Sequence, residues 1–242
     1  MFVLYHSIKI LNKKIFLKKV SLFSFFILYV ACCYAQQNVT GSYSYILKTN
    51  GNLVQEKKKV APGGNLVLIN VEGNKYRFWL DVLNGPPEYN RGETDGTITF
   101  KNDTASFDNT YEEATSDCIL KFKRTGNTIE ISSSSSSYNC GFDNGINADG
   151  RYTRTDKQEP LNNDWLKKQY PDASILKIAS RGAELYQDED GLRSYTKKKL
   201  LAKGELIISI SETEKTVYTE MIKNDGILQY GWIRKTAIEM NE

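Results

Sequence analysis

The sequence predicts an all-β fold in which an N-terminal antiparallel meander, closed as a barrel or a sandwich, precedes a second and smaller barrel. Short runs of alternating polar and apolar residues, separated by turn residues, fill positions 38–155. This pattern breaks at 156–173, and a further set of short apolar runs follows. We therefore predict a targeting segment over residues 1–35, an antiparallel β domain over 36–157, a linker over 158–173 and a small β domain over 174–242.

The first 35 residues have the order of a secretory signal peptide. Five lysines and no acidic residue precede the apolar run 20–30. This run is too short to span a bilayer, because a transmembrane helix needs about 20 apolar residues. We predict cleavage after Ala35, with Cys33 and Ala35 as the small residues of the cleavage site. Residues 29–32 also form a loose lipobox, so a lipid anchor on Cys32 is one alternative and an uncleaved anchor is another.

Each of these alternatives places the remaining chain outside the cytoplasm, and removal of the leader changes its net charge. The whole chain has 32 basic and 29 acidic residues. Without the five leader lysines, 27 basic residues face 29 acidic ones, a net charge of about −2. We therefore expect no nucleic acid partner, and contact with a membrane only if Cys32 is lipidated.

The mature chain also lacks the residues of several kinds of catalytic site. The only histidine, His6, lies in the leader, which excludes Ser-His and Cys-His catalysis and His-ligated zinc. Asp81, Glu88 and Glu93 could form the paired carboxylates of a glycosidase, but we interpret them as surface acids. Residues 145–150 and 186–191 imitate calcium loops that lack the first ligand and the closing glutamate, so we interpret both as turns. We expect no metal, no cofactor and no enzymatic activity.

Two cysteines remain after the leader is removed, Cys118 and Cys140. An even pair in an oxidising compartment predicts one disulfide, which would close a loop of about 22 residues and stabilise the fold by about 3 kcal/mol. Two free buried thiols are the alternative.

Strand periodicity in the first domain predicts an antiparallel meander. Tyr43 and Tyr45 alternate with Ser42 and Ser44, as in a half-buried strand. Three hairpins are expected from paired runs that flank turn residues. They are 65–71 with 75–83, 97–100 with 105–107, and 118–123 with 128–132.

Several segments of this domain carry a resemblance. The stretch FWLDVLNGPPEYNRGETDGTITF, then DCILKF, then CGFDNGINADGRYTR is similar to an uncharacterised exported bacterial β domain that also occurs beside lysozyme-inhibitor-like modules. The similarity covers roughly residues 64–155. It implies a domain unit, and the company that this domain keeps implies a second function, inhibition of a lysozyme-type cell-wall hydrolase.

The linker contains a helix signal between two prolines, Pro160 and Pro171. Asn163 is expected to cap one short helix that carries Trp165 and Leu166.

The second domain shows an ordered set of short motifs. A short apolar strand at 175–179 is followed by Leu201-Ala202-Lys203-Gly204-Glu205 and, near the C-terminus, by Tyr230-Gly231-Trp232-Ile233. This order resembles a bacterial SH3-like domain and implies a small barrel. We expect Leu206, Ile208 and Ile210 to form its inward face and Trp232 to fill its core.

The same resemblance implies a ligand site. SH3 domains dock extended ligands on aromatic walls, which makes Tyr186, Tyr195, Tyr230 and Trp232 candidate ligand-binding residues; ordinary core or surface tyrosines are the alternative. We expect an exported, non-catalytic binding protein whose SH3-like domain docks to a cell-wall peptide or a protein partner. The sequence does not indicate an oligomeric state.

Overall fold

The computed structural model describes residues 38–46, 63–85, 89–108, 118–133, 140, 142 and 146–239. The leader with His6, Cys32, Cys33 and Ala35 lies outside the described residues, as do Glu88 and the start of the loop at 145–150.

Eight antiparallel strands form the first sheet, and the predicted all-β fold is confirmed. Their order across the sheet is β4-β3-β2-β1-β8-β7-β6-β5, so the first and last strands pair at its centre. The strands are β1 (Gly41–Ile46), β2 (Gly63–Glu72), β3 (Lys75–Leu83), β4 (Arg91–Thr99), β5 (Thr104–Asp108), β6 (Ile119–Thr125), β7 (Thr128–Ser133) and β8 (Gly150–Arg154).

Two of the three predicted hairpins are confirmed, and a glycine makes each turn. The β2–β3 hairpin turns at Gly73 (φ +53°) and the β6–β7 hairpin at Gly126 (φ +58°). Both turns need a left-handed residue, which glycine adopts without steric cost.

The third hairpin prediction is wrong, because β4 and β5 are the two opposite edges of the sheet. Lys101 and Thr104 exchange two backbone hydrogen bonds (2.7 and 3.0 Å) around the tight turn, and the ladder goes no further. The ring of Phe107 lies between the strands, where a Cβ on Gly96 would be 2.3 Å from it. The sheet therefore curls until its edges meet across an aromatic side chain.

The interior of the curled sheet is a buried aromatic and aliphatic core. Phe78 contacts Phe107 and Phe122, with ring centroids 5.0 and 5.2 Å apart. The predicted disulfide between Cys118 and Cys140 is confirmed, and both half-cystines are buried in this core.

A second curled antiparallel sheet follows one short helix. Its strand order is β11-β10-β14-β13-β12-β9-β15. The elements are α1 (Asn163–Gln169), β9 (Ser174–Ile178), β10 (Ala183–Tyr186), β11 (Ser194–Leu201), β12 (Leu206–Glu212), β13 (Thr216–Ile222), β14 (Leu228–Arg234), a 3-10 turn (Lys235–Ala237) and β15 (Ile238–Glu239).

The predicted inward face of β12 is wrong. Ile207 points into the core of the second sheet, whereas Ile208 and Ile210 pack on the opposite side, and Leu206 is 52% exposed. Three consecutive apolar residues, 206–208, leave the phase of the alternation ambiguous, and β12 is covered on both faces.

Trp232 does not fill the core of the second sheet, which corrects that prediction. It is half-buried on the outer face of β14, and the core position belongs to Ile233. Gly231, at φ +149°, lets Tyr186 approach from β10, since a Cβ at this position would lie 2.6 Å from the Tyr186 carbonyl oxygen.

The short helix predicted in the linker is present, with its cap one residue earlier than expected. The Asn162 side-chain oxygen accepts a hydrogen bond from the Trp165 amide (3.0 Å), which is the N-cap bond. Asn163 instead accepts a hydrogen bond from the Ile222 amide (2.7 Å) and so fastens α1 to the end of β13.

A third buried cluster joins the two sheets through α1. Residues from Val39 onward accordingly form one compact unit. The buried members of the cluster are Ile69, Val71, Trp165, Leu166, Ile208, Ile222 and Leu228.

Candidate functional site

The four aromatic residues predicted to bind ligand lie on three adjacent strands of the second sheet. Tyr186 on β10 is the register partner of Trp232 on β14. The Tyr195 hydroxyl, from β11, donates a hydrogen bond to the Tyr230 carbonyl oxygen at 2.9 Å. All four side chains are half-buried, but Tyr195 packs against the core of the second sheet, whereas Tyr230 packs against the cluster between the sheets.

Tyr218 belongs to the same group and was missed from the sequence. It lies opposite Trp232 in the β13–β14 ladder, with ring centroids 5.4 Å apart, and 6.5 Å from the ring of Tyr230. Only the register of the two strands reveals this neighbour. We call the group Tyr186, Tyr195, Tyr218, Tyr230 and Trp232 the aromatic surface.

Three cations lie over the rings of the aromatic surface. Lys199 Nζ is 4.2 Å from the ring centroid of Tyr195 and 5.2 Å from that of Tyr230. Arg234 Cζ is 4.9 Å from the Tyr186 ring, and Lys75 Nζ is 5.4 Å from the Tyr230 ring. The rings and cations together can contact an extended chain that carries carboxylates.

Partial burial shifts the pKa values of Tyr195, Tyr218 and Lys199. Burial raises the pKa of Tyr195 to about 12 and raises the pKa of Tyr218 still further. Burial also lowers the pKa of Lys199. Tyr195 and Tyr218 therefore remain neutral hydroxyl groups at physiological pH, and the charge beside them comes from the cations.

A buried ion pair between Arg77 on β3 and Glu220 on β13 joins the two sheets. Arg77 Nε lies 3.2 Å from Glu220 Oε1, and the Glu220 side chain is fully buried. The Arg77 Nη2 group donates to the Tyr170 hydroxyl, which donates to Glu220 Oε2, both at 3.1 Å. Arg77 also pairs with Asp95. These contacts position β13 on β3.

Burial raises the pKa of the Glu220 carboxyl above its ordinary value, while Arg77 and the Tyr170 hydroxyl reduce that rise. A carboxyl in this position is costly to ionise unless its partners stay in place. The network is therefore a structural contact between the sheets, and its Asp95, 45% exposed in the side chain, reaches the lining of a neighbouring cleft.

A separate cleft of about 890 Å³ opens between the outer face of β1–β4 and α1. Trp79 and Trp165 meet edge to face in it, with centroids 5.1 Å apart. Arg91 forms a bidentate pair with Asp81 (2.9 and 3.1 Å) and also contacts Glu93 at 2.6 Å. Of the three acids considered as catalytic carboxylates, Asp81 and Glu93 are therefore both engaged by one arginine.

The calcium-like loop at 186–191 folds as a turn. The Asp188 Oδ1 atom accepts hydrogen bonds from the Leu192 and Arg193 amides (3.0 and 2.9 Å), and these bonds lower the pKa of the carboxyl. Gly191 takes the left-handed conformation that closes the turn (φ +65°).

Within the described residues, no group of three or more histidine, cysteine, aspartate or glutamate side chains is placed to hold a metal ion. In the same part of the chain, none of the helices is long and apolar enough to cross a membrane.

No family model, no curated protein and no solved structure matches this chain.

Proposed function

We propose that this chain is an exported, non-catalytic binding protein whose second sheet, SH3-like by its sequence motifs, docks a cell-wall peptide on the aromatic surface. The observation that carries the proposal is that Tyr186, Tyr218, Tyr230 and Trp232 share the outer face of three neighbouring strands, with Tyr195 bonded to the edge of this face. Aromatic residues with partial exposure dominate the binding energy of protein interfaces.

The charges around this surface favour a ligand with carboxylates. Lys75, Lys199 and Arg234 lie within 5.4 Å of its rings. The stem peptides of bacterial cell walls are extended and carry free carboxylates, so they offer both a chain for the rings and charges for the cations.

An extracytoplasmic location supports this ligand class. The Cys118–Cys140 disulfide is consistent with an oxidising compartment. Mass spectrometry of the mature protein distinguishes the alternatives for the leader, because cleavage after Ala35 and lipidation of Cys32 give different masses.

The experiment uses the full chain, since the second sheet buries Ile208, Ile222 and Leu228 against the first and α1. Retention on insoluble peptidoglycan and calorimetric titration with a soluble stem peptide are measured together. We expect Trp232→Ala and Tyr186→Ala to weaken both by about tenfold or more. Tyr89→Ala is the matched control, because this tyrosine is 46% exposed and lies outside the aromatic surface.

Failure of the wild-type chain to bind the soluble peptide at moderate salt would contradict the proposal. Equal losses in Tyr89→Ala and Trp232→Ala would contradict it as well. Thermal unfolding of each variant shows whether a loss of binding reflects a loss of fold.

A second candidate function is inhibition of a lysozyme-type hydrolase by the first sheet. It is supported by the disulfide, which fixes the start of β6 to the segment that leads into β8. The full chain should then suppress muramidase activity at equimolar concentration, and the double variant Cys118→Ala/Cys140→Ala should suppress it less. Unchanged muramidase activity would remove this candidate.

A further inference from the structure

We propose that the cleft between the outer face of β1–β4 and α1 binds a neutral oligosaccharide. The cleft shares no residue with the aromatic surface, so this is a second binding site beyond the proposed function. Its volume of about 890 Å³ lies in the upper part of the range of ligand pockets and leaves room for more than one sugar ring.

The polar groups of the cleft are held in place and can both donate and accept hydrogen bonds. The bidentate Asp81–Arg91 pair forms a planar unit whose guanidinium donates and whose carboxylate accepts. Asp81 is 37% exposed in its side chain and Arg91 60% exposed, so both ends of this unit remain within reach of a ligand. A sugar hydroxyl is donor and acceptor at once and can therefore bridge such a unit.

Charges within the cleft compensate one another, which favours a neutral ligand over a charged one. Arg91 pairs with Asp81 and Glu93, and Arg77 beneath the floor pairs with Asp95. A charged ligand therefore meets side chains of both signs in the lining, and the strongest of them already have a partner of opposite charge. The acidic side chains of the lining are Asp81, Glu93, Asp95 and Glu159, and the basic ones are Arg91, Lys157 and Lys168.

The partly buried Trp79 supplies the apolar part of the cleft, and Trp165, which is only 7% exposed, supports it from behind. Trp79 lies on β3 and Trp165 on α1, and their edge-to-face contact fixes the orientation of both rings. The C–H faces of pyranose rings are apolar and pack on such rings, while their hydroxyl groups point to the polar wall. The Trp79 Nε1 group is buried without a hydrogen-bond acceptor among the described residues, so Trp79→Phe removes no hydrogen bond from the fold.

The test is a titration of the full chain with the tetramer of N-acetylglucosamine, which is neutral, and with its deacetylated form, which has the same backbone and four amines. Calorimetry measures affinity. Tryptophan fluorescence, in a Trp232→Phe background, reports on the two indoles of the cleft, because the chain has three tryptophans. We expect saturable binding of the neutral tetramer and no tighter binding of the cationic one.

Variants locate the site. Asp81→Asn should weaken binding of the neutral tetramer by about tenfold, since it removes a charged hydrogen-bond acceptor. Trp79→Phe should weaken it less, since the smaller ring offers less apolar surface to the sugar. The matched control is Asp103→Asn, because Asp103 forms a similar ion pair with Arg124 (2.6 Å) outside the cleft.

Three results would overturn the proposal. They are the absence of saturable binding of the neutral tetramer through the millimolar range, tighter binding of the cationic tetramer, and an equal loss of affinity in Asp81→Asn and Asp103→Asn. The tetramer contains no peptide, so its failure to bind leaves the stem-peptide result of the aromatic surface unaffected, and the reverse also holds.

Discussion

Most aromatic side chains of the first sheet lie inside its curl, whereas most of those of the second sheet lie on its outer face. In the first sheet Phe78, Phe122 and Tyr152 lie inside the curled sheet and are almost fully buried. The buried core of the second sheet is aliphatic apart from Met221 within the described residues, and Trp232 with most of the tyrosines lies outside it. Eight strands enclose an interior wide enough for rings, whereas the smaller barrel is filled by aliphatic side chains.

This difference separates aromatic residues that maintain the fold from those available for contacts. A ring inside the first sheet has no access to a ligand, and its removal leaves a cavity. A ring outside the second sheet is in contact with cations and with solvent. The predictions below test this division, beginning with the largest expected change in the free energy of unfolding.

Removing a ring from each side gives the largest contrast. Phe78→Ala should lower the free energy of unfolding by about 3–5 kcal/mol, because it leaves a cavity between Phe107 and Phe122. Trp232→Ala should cost only about 1–2 kcal/mol, through loss of the ring contact with Tyr218 and of partial burial. Urea unfolding measures the stability of both variants. Equal losses of stability would contradict the division between rings that maintain the fold and rings available for contacts.

Loss of the disulfide, which lies within the first sheet, should have the next largest effect on the free energy of unfolding. The double variant Cys118→Ala/Cys140→Ala should lose about 3 kcal/mol, because the bond closes a loop of 22 residues. Hydrogen exchange then shows how far the loss extends. Faster exchange in both sheets indicates one cooperative unit, faster exchange in the first alone indicates two, and unchanged stability contradicts the prediction.

Loss of a single hydroxyl should have a smaller effect on either side. Tyr152→Phe removes a buried hydrogen bond to the Ala148 carbonyl oxygen (3.0 Å), and Tyr195→Phe removes the half-buried bond to Tyr230. We expect about 1 kcal/mol for each, with the larger loss at Tyr152 because its acceptor is left fully buried. Thermal unfolding of the two variants is the measurement, and a larger loss at Tyr195 would be the opposite result.

The smallest expected effect is a pH dependence of the free energy of unfolding, which arises at the contact between the sheets. Burial raises the pKa of Glu220 above its ordinary value of 4.5, so the folded chain retains this proton to a higher pH than the unfolded chain does. This group therefore makes the free energy of unfolding fall as the pH rises from 4.5 through the raised pKa.

Glu220→Gln does not titrate, so its stability relative to wild type should increase over that interval. Glu212→Gln, at an exposed glutamate paired with Lys235 (3.0 Å), is the control and should show no such trend. A wild-type chain that gains stability over Glu220→Gln as the pH rises would contradict the assignment.

Features that depend on neighbours in the sequence were predictable. The turns at Gly73 and Gly126 follow from residues that favour a left-handed conformation between two alternating runs. The disulfide follows from an even pair of cysteines.

Features that depend on the order of strands were not predictable. β4 and β5 are neighbours in the chain but opposite edges of the sheet, and β12 is covered on both faces by elements distant in sequence. The same reason explains why Tyr218 was missed at the aromatic surface. The cleft combines β1–β4 with α1, and no local pattern indicates that Trp79 and Trp165 meet.

The contact between the sheets also has a consequence for biosynthesis. β2 is buried on both faces in the finished molecule, with Val67, Ile69 and Val71 turned toward the second sheet and α1. Chains emerge from the ribosome or the export channel N-terminus first, so the first sheet can close while these side chains still face water. Until the last 70 or so residues arrive, this strip is open to association with other chains.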